Sequence, residues 1–276
     1  MINRNLERVI NLDQRAFNEN YFRPARPVII EQGAVNSKAH QLWSLSYLKE
    51  KLQGCQIVVH HNKNGFYDHI QSVRPNLVER LSMPFEQAVD KIETEPEGTW
   101  YLQQASIDHE LPPLKDDLEK LPWCEKFTKT HARNFWLGSE NCVTPLHFDH
   151  FPNFLIQIRG RKALTLFSPS DSKLLYPNPA SPSVSQVDIE APDYLAHPLL
   201  HNATAFHLEL SPGDVLYMPS GWWHQTRSLE TNISVNIWWA PFFSWINLTH
   251  PFKVLYVLLF GRRASKVKRS VPPSNS

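Results

Sequence analysis

Cysteine is scarce in this chain, and what there is does not pair: Cys55, Cys124 and Cys142 are three in number and lack the spacing of a thiolate metal site. That argues against a disulfide framework and against a closed, cysteine-rich zinc site. Surplus charge is missing as well, since 28 Lys and Arg stand against 27 Asp and Glu, a formal net charge of +1. The body of the protein is therefore no evident polyanion binder, although a local patch can hide in a balanced total. No apolar run approaches the roughly 20 residues that span a bilayer, and no internal repeat is present. The opening Met1-Ile-Asn-Arg-Asn-Leu-Glu has no apolar signal region. The expected setting is a reducing intracellular compartment, the cytoplasm.

What the chain does have is 276 residues with 42% hydrophobic and 12% aromatic content, enough for one large core without division into independent domains. Residues 1–99 read as helices and strands packed on a barrel. The spacing predicts a helix over 6–22, a strand at 28–31 and a helix over 44–52 with Leu45, Leu48 and Leu52 on one face. A strand at 57–60 and a helix over 84–92, with Pro84 in its first turn and Phe85, Ala88, Val89 and Ile92 together, complete this part. From Trp100 the chain is strand after strand, at 100–106, 133–138, 143–149, 153–158, 162–167, 206–210, 214–218, 223–228 and 233–239. This pattern predicts a mainly β fold, a double-sheet jelly roll over 100–241 with α-helices around it. Residues 168–205, rich in Pro, Ser and Asn, are too long for a plain turn and read as a substrate-facing loop with short elements.

The densest chemistry lies in Thr144-Pro-Leu-His147-Phe-Asp149-His-Phe-Pro-Asn153-Phe-Leu-Ile-Gln-Ile-Arg-Gly-Arg-Lys162. His147 and Asp149 are two apart, so on a strand both leave the same face, where two ligands must be to share a metal. A third ligand is available at His224, in Gly213-Asp-Val-Leu-Tyr-Met-Pro-Ser-Gly-Trp-Trp-His224, a turn, an apolar strand, a second turn and a histidine. Two imidazoles and one carboxylate form a facial set that leaves coordination positions open, unlike a structural zinc site with four protein ligands. His60, His61 and His69 need not be ligands.

After Asn153 the apolar run 154–158 meets Arg159-Gly160, and 161–167 runs back, which reads as a hairpin with a glycine turn. Its register would pair Gln157 with Lys162, Leu155 with Leu164 and Asn153 with Leu166, so that Asn153 and Lys162 share a face. A lysine there is costly unless an anion answers it. A dicarboxylate chelating the metal through one end would present its other carboxylate to that lysine. Strand 233–239 alternates too, with Ile233, Val235, Ile237 and Trp239 on one face and Ser234, Asn236 and Trp238 on the other.

Tyr101-Leu-Gln103-Gln104, Thr144-Pro-Leu-His147-Phe-Asp149, Asn153, Lys162 after its glycine turn, Trp222-Trp223-His224 and Val235-Asn236-Ile-Trp238 occur in an order that resembles the Jumonji-C, cupin-like 2-oxoglutarate oxygenases. Among these the chain is similar to the asparaginyl hydroxylase that acts on hypoxia-inducible factor. The matching covers about residues 100–240. The resemblance implies a cupin-like double-stranded β-helix, iron ligands at His147, Asp149 and His224, and Lys162, Tyr101 and Thr144 holding the distal carboxylate of 2-oxoglutarate. Asn153 and Asn236 would complete the cosubstrate pocket, with Trp238 as a wall. Singly, each residue has an ordinary reading: a strand tyrosine, a β-forming threonine, a turn lysine reaching solvent.

The implied activity is an Fe(II)- and 2-oxoglutarate-dependent hydroxylation that consumes dioxygen and yields succinate and carbon dioxide. A protein or peptide side chain is the expected substrate, with Gln103 and the 168–205 loop as the places for its contacts. Hydroxylation of a tRNA base or a small molecule, demethylation by hydroxylating an N-methyl carbon, and a catalytically silent cupin-like binding module stay open. The last would be marked by a missing iron ligand or a missing cosubstrate lysine, and neither is missing. In 242–276, the apolar stretch 254–260 reads as a helix that packs on the domain or on a second copy in a homodimer. The basic run 261–269 reads either as a solvated tail or as a contact for nucleic acid or a membrane surface.

Overall fold

The computed structural model describes residues 1–68, 78–123 and 129–240. His69, Cys124 and the apolar and basic segments expected in 242–276 lie outside the described residues. Strands before Trp100 are β1 Ile2–Arg4, β2 Arg8–Val9, β3 Val28–Ile30, β4 Gln56–His61 and β5 Glu79–Pro84. Those after it are β6 Trp100–Ser106, β7 Lys129–Gly138, β8 Val143–Phe148, β9 Asn153–Arg159, β10 Lys162–Phe167, β11 Thr204–Leu210, β12 Val215–Met218, β13 Trp223–Ser228 and β14 Asn232–Ala240. They form a nine-stranded sheet, in the order β2-β3-β12-β9-β14-β7-β6-β4-β5, and a five-stranded sheet, β1-β11-β10-β13-β8. All pairings between these strands are antiparallel except β1 with β11 and β2 with β3. This is the jelly roll expected from the strand spacing.

Four α-helices, α1 Gln14–Phe17, α2 Lys38–Leu42, α3 Leu45–Lys51 and α4 Phe85–Thr94, accompany the nine-stranded sheet. Helix α3 starts where the Ser44 side chain accepts from the Tyr47 backbone N–H at 3.1 Å, a serine cap that answers one of the helix's unpaired donors. Phe85, Ala88, Val89 and Ile92 of α4 are buried together, and Leu48 of α3 joins them in one core with Phe135, Phe154, Val235 and Trp239 of the sheet. Fully burying a side chain such as Phe85 contributes about 1.5–3 kcal/mol. A second apolar layer, Leu155 and Leu216 of the large sheet with Leu164 and Leu166 of the small one, fills the space between the sheets. Strand β9 is therefore buried on both faces, apolar at Phe154, Leu155, Ile156 and Ile158 and interrupted by the buried Gln157.

The structure corrects three sequence expectations and adds one strand, β5, that none of them contained. The stretch 6–22 is not one helix: α1 begins only at Gln14, where Asp13 accepts from the Ala16 N–H at 2.8 Å, and continues as a π turn over Asn18–Phe22. Residues before it are spent as β1 and β2, each supplying backbone partners to another strand. Pro84 stands outside α4 as its N-terminal flanking residue. Strand β5 carries no apolar alternation because Glu79, Arg80, Leu81 and Ser82 are exposed at the sheet's edge, so no pattern announces it.

The third correction concerns the expected hairpin. Strand β9 pairs with β12 and β14, whereas β10 pairs with β11 and β13. At Arg159-Gly160 the chain crosses from one sheet to the other, so β9 and β10 face each other across the sandwich instead of lying side by side. Gly160 makes that crossing, with φ +64° and a would-be Cβ only 2.3 Å from the Thr231 carbonyl oxygen. Gly160→Ala is therefore expected to destabilise the fold by about 1–3 kcal/mol through backbone strain and collision. A urea unfolding midpoint equal to that of the parent protein would refute this account of the crossing.

Candidate metal centre

A β-bulge prepares the site. On β13, His224 and Thr226 are two apart and share a face; opposite them on β8 stand His147 and Thr144, which are three apart. A regular strand would send His147 and Thr144 to opposite faces. The extra residue on β8, next to Pro145, restores the parity, and all four side chains line one cavity between the two sheets.

His147 and His224 lie directly opposite each other with ring centroids 4.2 Å apart. Asp149 follows the end of β8, and its carboxylate oxygens come within 4.0 Å of His147 Nε2 and 3.9 Å of His224 Nε2. Donor atoms of the three residues all lie within 4.8 Å of one another, the only such cluster of three among the described residues. Each imidazole is fixed in one tautomer, because His147 Nδ1 lies 2.8 Å from the Pro145 carbonyl and His224 Nδ1 3.2 Å from the Trp222 carbonyl. A carbonyl only accepts, so both Nδ1 atoms carry the proton and both Nε2 lone pairs are free for a metal. Burial, reinforced by the neighbouring His147, pushes the His224 pKa down and keeps its ring neutral.

Asp149 is gripped from the opposite sheet. Asn153 Nδ2 and Trp238 Nε1 each donate to Asp149 Oδ2 at 3.0 Å, from residues that are themselves register partners on β9 and β14. Two donors on one oxygen set the carboxylate's orientation and leave Oδ1 for the side facing His147.

Deeper in the cavity Lys162 is 2% exposed and donates to Ser234 Oγ at 2.8 Å. No carboxylate of the described residues pairs with it, and burial pushes its pKa down to about 8. Beside it the buried Tyr101 phenol lines the cavity with the hydroxyls of Thr144 and Thr226, and burial drives its pKa up. Gly138 makes room for this ring: a Cβ there would stand 2.7 Å from Tyr101 Cδ2. Two buried amide atoms in the cavity, Asn153 Oδ1 and Asn236 Nδ2, have no partner. An unanswered buried cation, the neighbouring hydroxyls and the unsatisfied Asn236 donor fit a polar, anionic ligand of small size. A three-donor set with open sides fits a divalent iron-type metal.

All eight residues singled out from the sequence line this one cavity: Tyr101, Thr144, His147, Asp149, Asn153, Lys162, His224 and Asn236, with Trp238 as part of its wall. Gln103 does not; it is buried with its amide 3.5 Å from Thr144 Oγ1, and Gln104, held at φ +53°, lines the cavity in its place. Nor does any residue of the 168–205 loop. Its Ser183 and Ser185 instead bond the backbone of Phe148 and Leu146, covering the outer edge of β8. Sequence reasoning missed Thr226 and Trp136. The period-2 step from His224 signals Thr226, whereas Trp136 belongs to no local motif and arrives through the pairing of β7 with β14.

A family model for a cupin-like domain matches residues 14–245. Lysine-specific demethylase 8 of Xenopus tropicalis is 32% identical over 229 residues, 81% of this chain and 50% of that protein. The human bifunctional peptidase and (3S)-lysyl hydroxylase JMJD7 is 27% identical over 252 residues, 81% of this chain and 80% of its own. Human tRNA wybutosine-synthesizing protein 5 is 27% identical over 252 residues, covering 84% of this chain and 76% of that protein. The chain spans about half the length of the demethylase relatives it matches.

The grip on Asp149 yields a measurable consequence. Trp238→Phe keeps the wall but removes one of the two donors, and metal affinity is expected to fall about 10–100-fold. Calorimetric titration with Mn(II) reads this directly, and an affinity unchanged in the variant would show that the indole N–H does not orient the ligand.

Proposed function

The chain belongs to the cupin-like, Jumonji-C oxygenase family, whose metal is Fe(II) and whose cosubstrate is 2-oxoglutarate, and from that premise we propose that it hydroxylates a side chain of a protein or peptide. One observation carries the oxygenase part of this reading: an open His-Asp-His set and a buried, unpaired lysine share a single cavity. His147, Asp149 and His224 would hold the iron. Lys162, Tyr101 and Thr144 would take the distal carboxylate of 2-oxoglutarate and Asn236 would donate to one of its remaining oxygens, while Asn153 would complete the pocket beside it by holding Asp149. When bound, the iron and the 2-oxo acid together supply the oxidation, coupling oxidative decarboxylation to succinate with insertion of one oxygen atom of dioxygen into a substrate C–H bond.

The protein's own contribution is placement. Imidazoles held through Nδ1 by backbone carbonyls and a carboxylate held by two donors keep the ligand set in one geometry. Leu155, Met218 and Trp238 form apolar wall that keeps water from the reacting atoms. Support for a protein or peptide substrate comes from the lysyl hydroxylase relative, matched over most of both chains. The tRNA-modifying relative, matched to a similar extent, supports hydroxylation of a tRNA base as the second reading.

Fe(II) followed by 2-oxoglutarate, added without oxygen to the metal-free protein, is expected to produce the visible charge-transfer band of a chelated 2-oxo acid, and His147→Ala should lose it. Absence of the band in folded, iron-loaded protein would overturn the oxygenase reading. The band also tests Lys162. Its pKa in the free cavity is about 8, and an anion stabilises the protonated form, so affinity for 2-oxoglutarate should be level below that pH. Above it a proton must be taken up on binding, and affinity should weaken by up to about tenfold per pH unit. Lys162→Met should abolish tight cosubstrate binding while raising the stability of the free protein by about 1–3 kcal/mol, because a desolvated charge is removed. A variant that unfolds at a lower urea concentration than the parent, or that binds 2-oxoglutarate equally well, would sink this assignment.

A further inference from the structure

We propose that Trp136 is a positioning residue: its indole N–H decides which end of the Asn236 amide faces the cavity, and so makes Asn236 a hydrogen-bond donor to 2-oxoglutarate. The proposal rests on the oxygenase reading above. It begins from donor and acceptor identities. Trp136 Nε1 lies 2.7 Å from Asn236 Oδ1. An indole nitrogen can only donate, so it can hold only the oxygen end of an amide. The nitrogen end, Nδ2, is then turned away from Trp136, in a residue that is 2% exposed, and it has no partner. Reversed, the amide would set N–H against N–H and lose its one bond.

Trp136 is well placed to enforce this. Strand β7 pairs with β14, with Asn134 opposite Asn236 and Trp136 opposite Ser234, so Trp136 is the diagonal neighbour of Asn236 on the cavity face. Its ring also packs against Tyr101, with centroids 5.9 Å apart and planes at 47°. The indole therefore stands between two residues of the cosubstrate pocket. On the same face of β14, two residues from Asn236, Ser234 accepts from Lys162. The donor end of Asn236 thus belongs to the region of the cavity that carries positive charge, and a carboxylate or keto oxygen of the cosubstrate is its natural acceptor.

Asn153 is set the opposite way by the same logic. Its nitrogen end donates to Asp149, which only accepts, so its free atom is the oxygen, Oδ1. The two amides are not interchangeable: Asn236 offers the cavity a donor and Asn153 an acceptor.

A double-mutant cycle on Trp136→Phe and Asn236→Ala tests this, read by anaerobic titration of the Fe(II)-loaded protein with 2-oxoglutarate through its charge-transfer band. Mn(II) affinity serves as the check that the metal centre and fold persist. Trp136→Phe keeps an aromatic ring against Tyr101 and deletes the N–H. In the parent background it is expected to weaken 2-oxoglutarate binding about tenfold, and in the Asn236→Ala background by less than about twofold, with Mn(II) affinity unchanged in each. Trp136→His, whose smaller ring can still present an N–H, should recover part of the loss. Equal losses in both backgrounds would show that Trp136 merely lines the pocket, and no loss in the parent background would show that it orients nothing; either result overturns the proposal. Failure of the parent protein itself to bind 2-oxoglutarate would overturn the oxygenase reading along with it, and is told apart by the parent titration alone.

Discussion

The pairing of β8 with β13, one residue out of step, is the constraint on which this molecule's chemistry depends. Only with an extra residue beside Pro145 do Thr144 and His147 project to the same side as Thr226 and His224. Remove the bulge and one of the two β8 side chains, Thr144 or His147, turns to the other face of the sheet, whichever register is kept. Proline suits that position because its missing N–H is least costly where the ladder is already interrupted. The carbonyl of the same residue is then free to accept from His147 Nδ1, so the irregularity that aims the histidine also sets its tautomer.

Behind this alignment lies a division of labour between sheets. The two histidines come from adjacent strands of the five-stranded sheet, while the donors that steady Asp149 and the hydroxyl that receives Lys162 come from β9 and β14 of the nine-stranded one. The His147–Asp149–His224 cluster and its supports are therefore registered to each other only when the sandwich is closed. What closes it is the apolar layer of Leu155, Leu164, Leu166 and Leu216, which shares β9 and β10 with Asn153 and Lys162. Strand β14 shows the same economy within one segment. Ile233, Val235, Ile237 and Trp239 enter the core under the helices, while Ser234, Asn236 and Trp238 face the cavity. Burying Lys162 in such surroundings opposes folding, since the low dielectric penalises its charge; the same surroundings strengthen its attraction for an anion.

Much of this is legible in the chain because strand periodicity and ligand chemistry are local signals. The alternation in 233–239, the two-residue step from His147 to Asp149 and the order of the eight site residues need no knowledge of pairing. What the sequence hides is which strand lies beside which. Gly160 between two apolar runs has the look of a hairpin, and an inter-sheet crossing uses the same residues, because both need a positive φ at one point. Asn153 and Lys162 still meet in one cavity, but from opposite sheets. Trp136 was invisible for a related reason: its partner is a hundred residues away, and nothing in Phe135-Trp136-Leu137 marks one aromatic in a strand as different from another. Strand β5 failed to declare itself because an exposed edge needs no apolar alternation.

The relatives with different names match similar shares of this chain, 81%, 81% and 84%, and that bears on where specificity resides. A lysyl hydroxylase, a demethylase and a tRNA-modifying protein do not share a substrate, so the elements common to the fold cannot be what chooses one. Interior residues are poor candidates for such variation, because Lys162, Tyr101 and the amides are tied to one another across two sheets. Gln104 is different. It lines the cavity from a strained, left-handed backbone position beside the buried Gln103, at an irregularity where β6 and β7 fall out of register between Leu102 and Ala105. A residue held out of the regular ladder is free of the pairing constraints that fix its neighbours. Among the residues that line the cavity, Gln104 is therefore one that the register of the sheet does not fix. The loop 168–205 covers the outer edge of β8, the strand that carries His147.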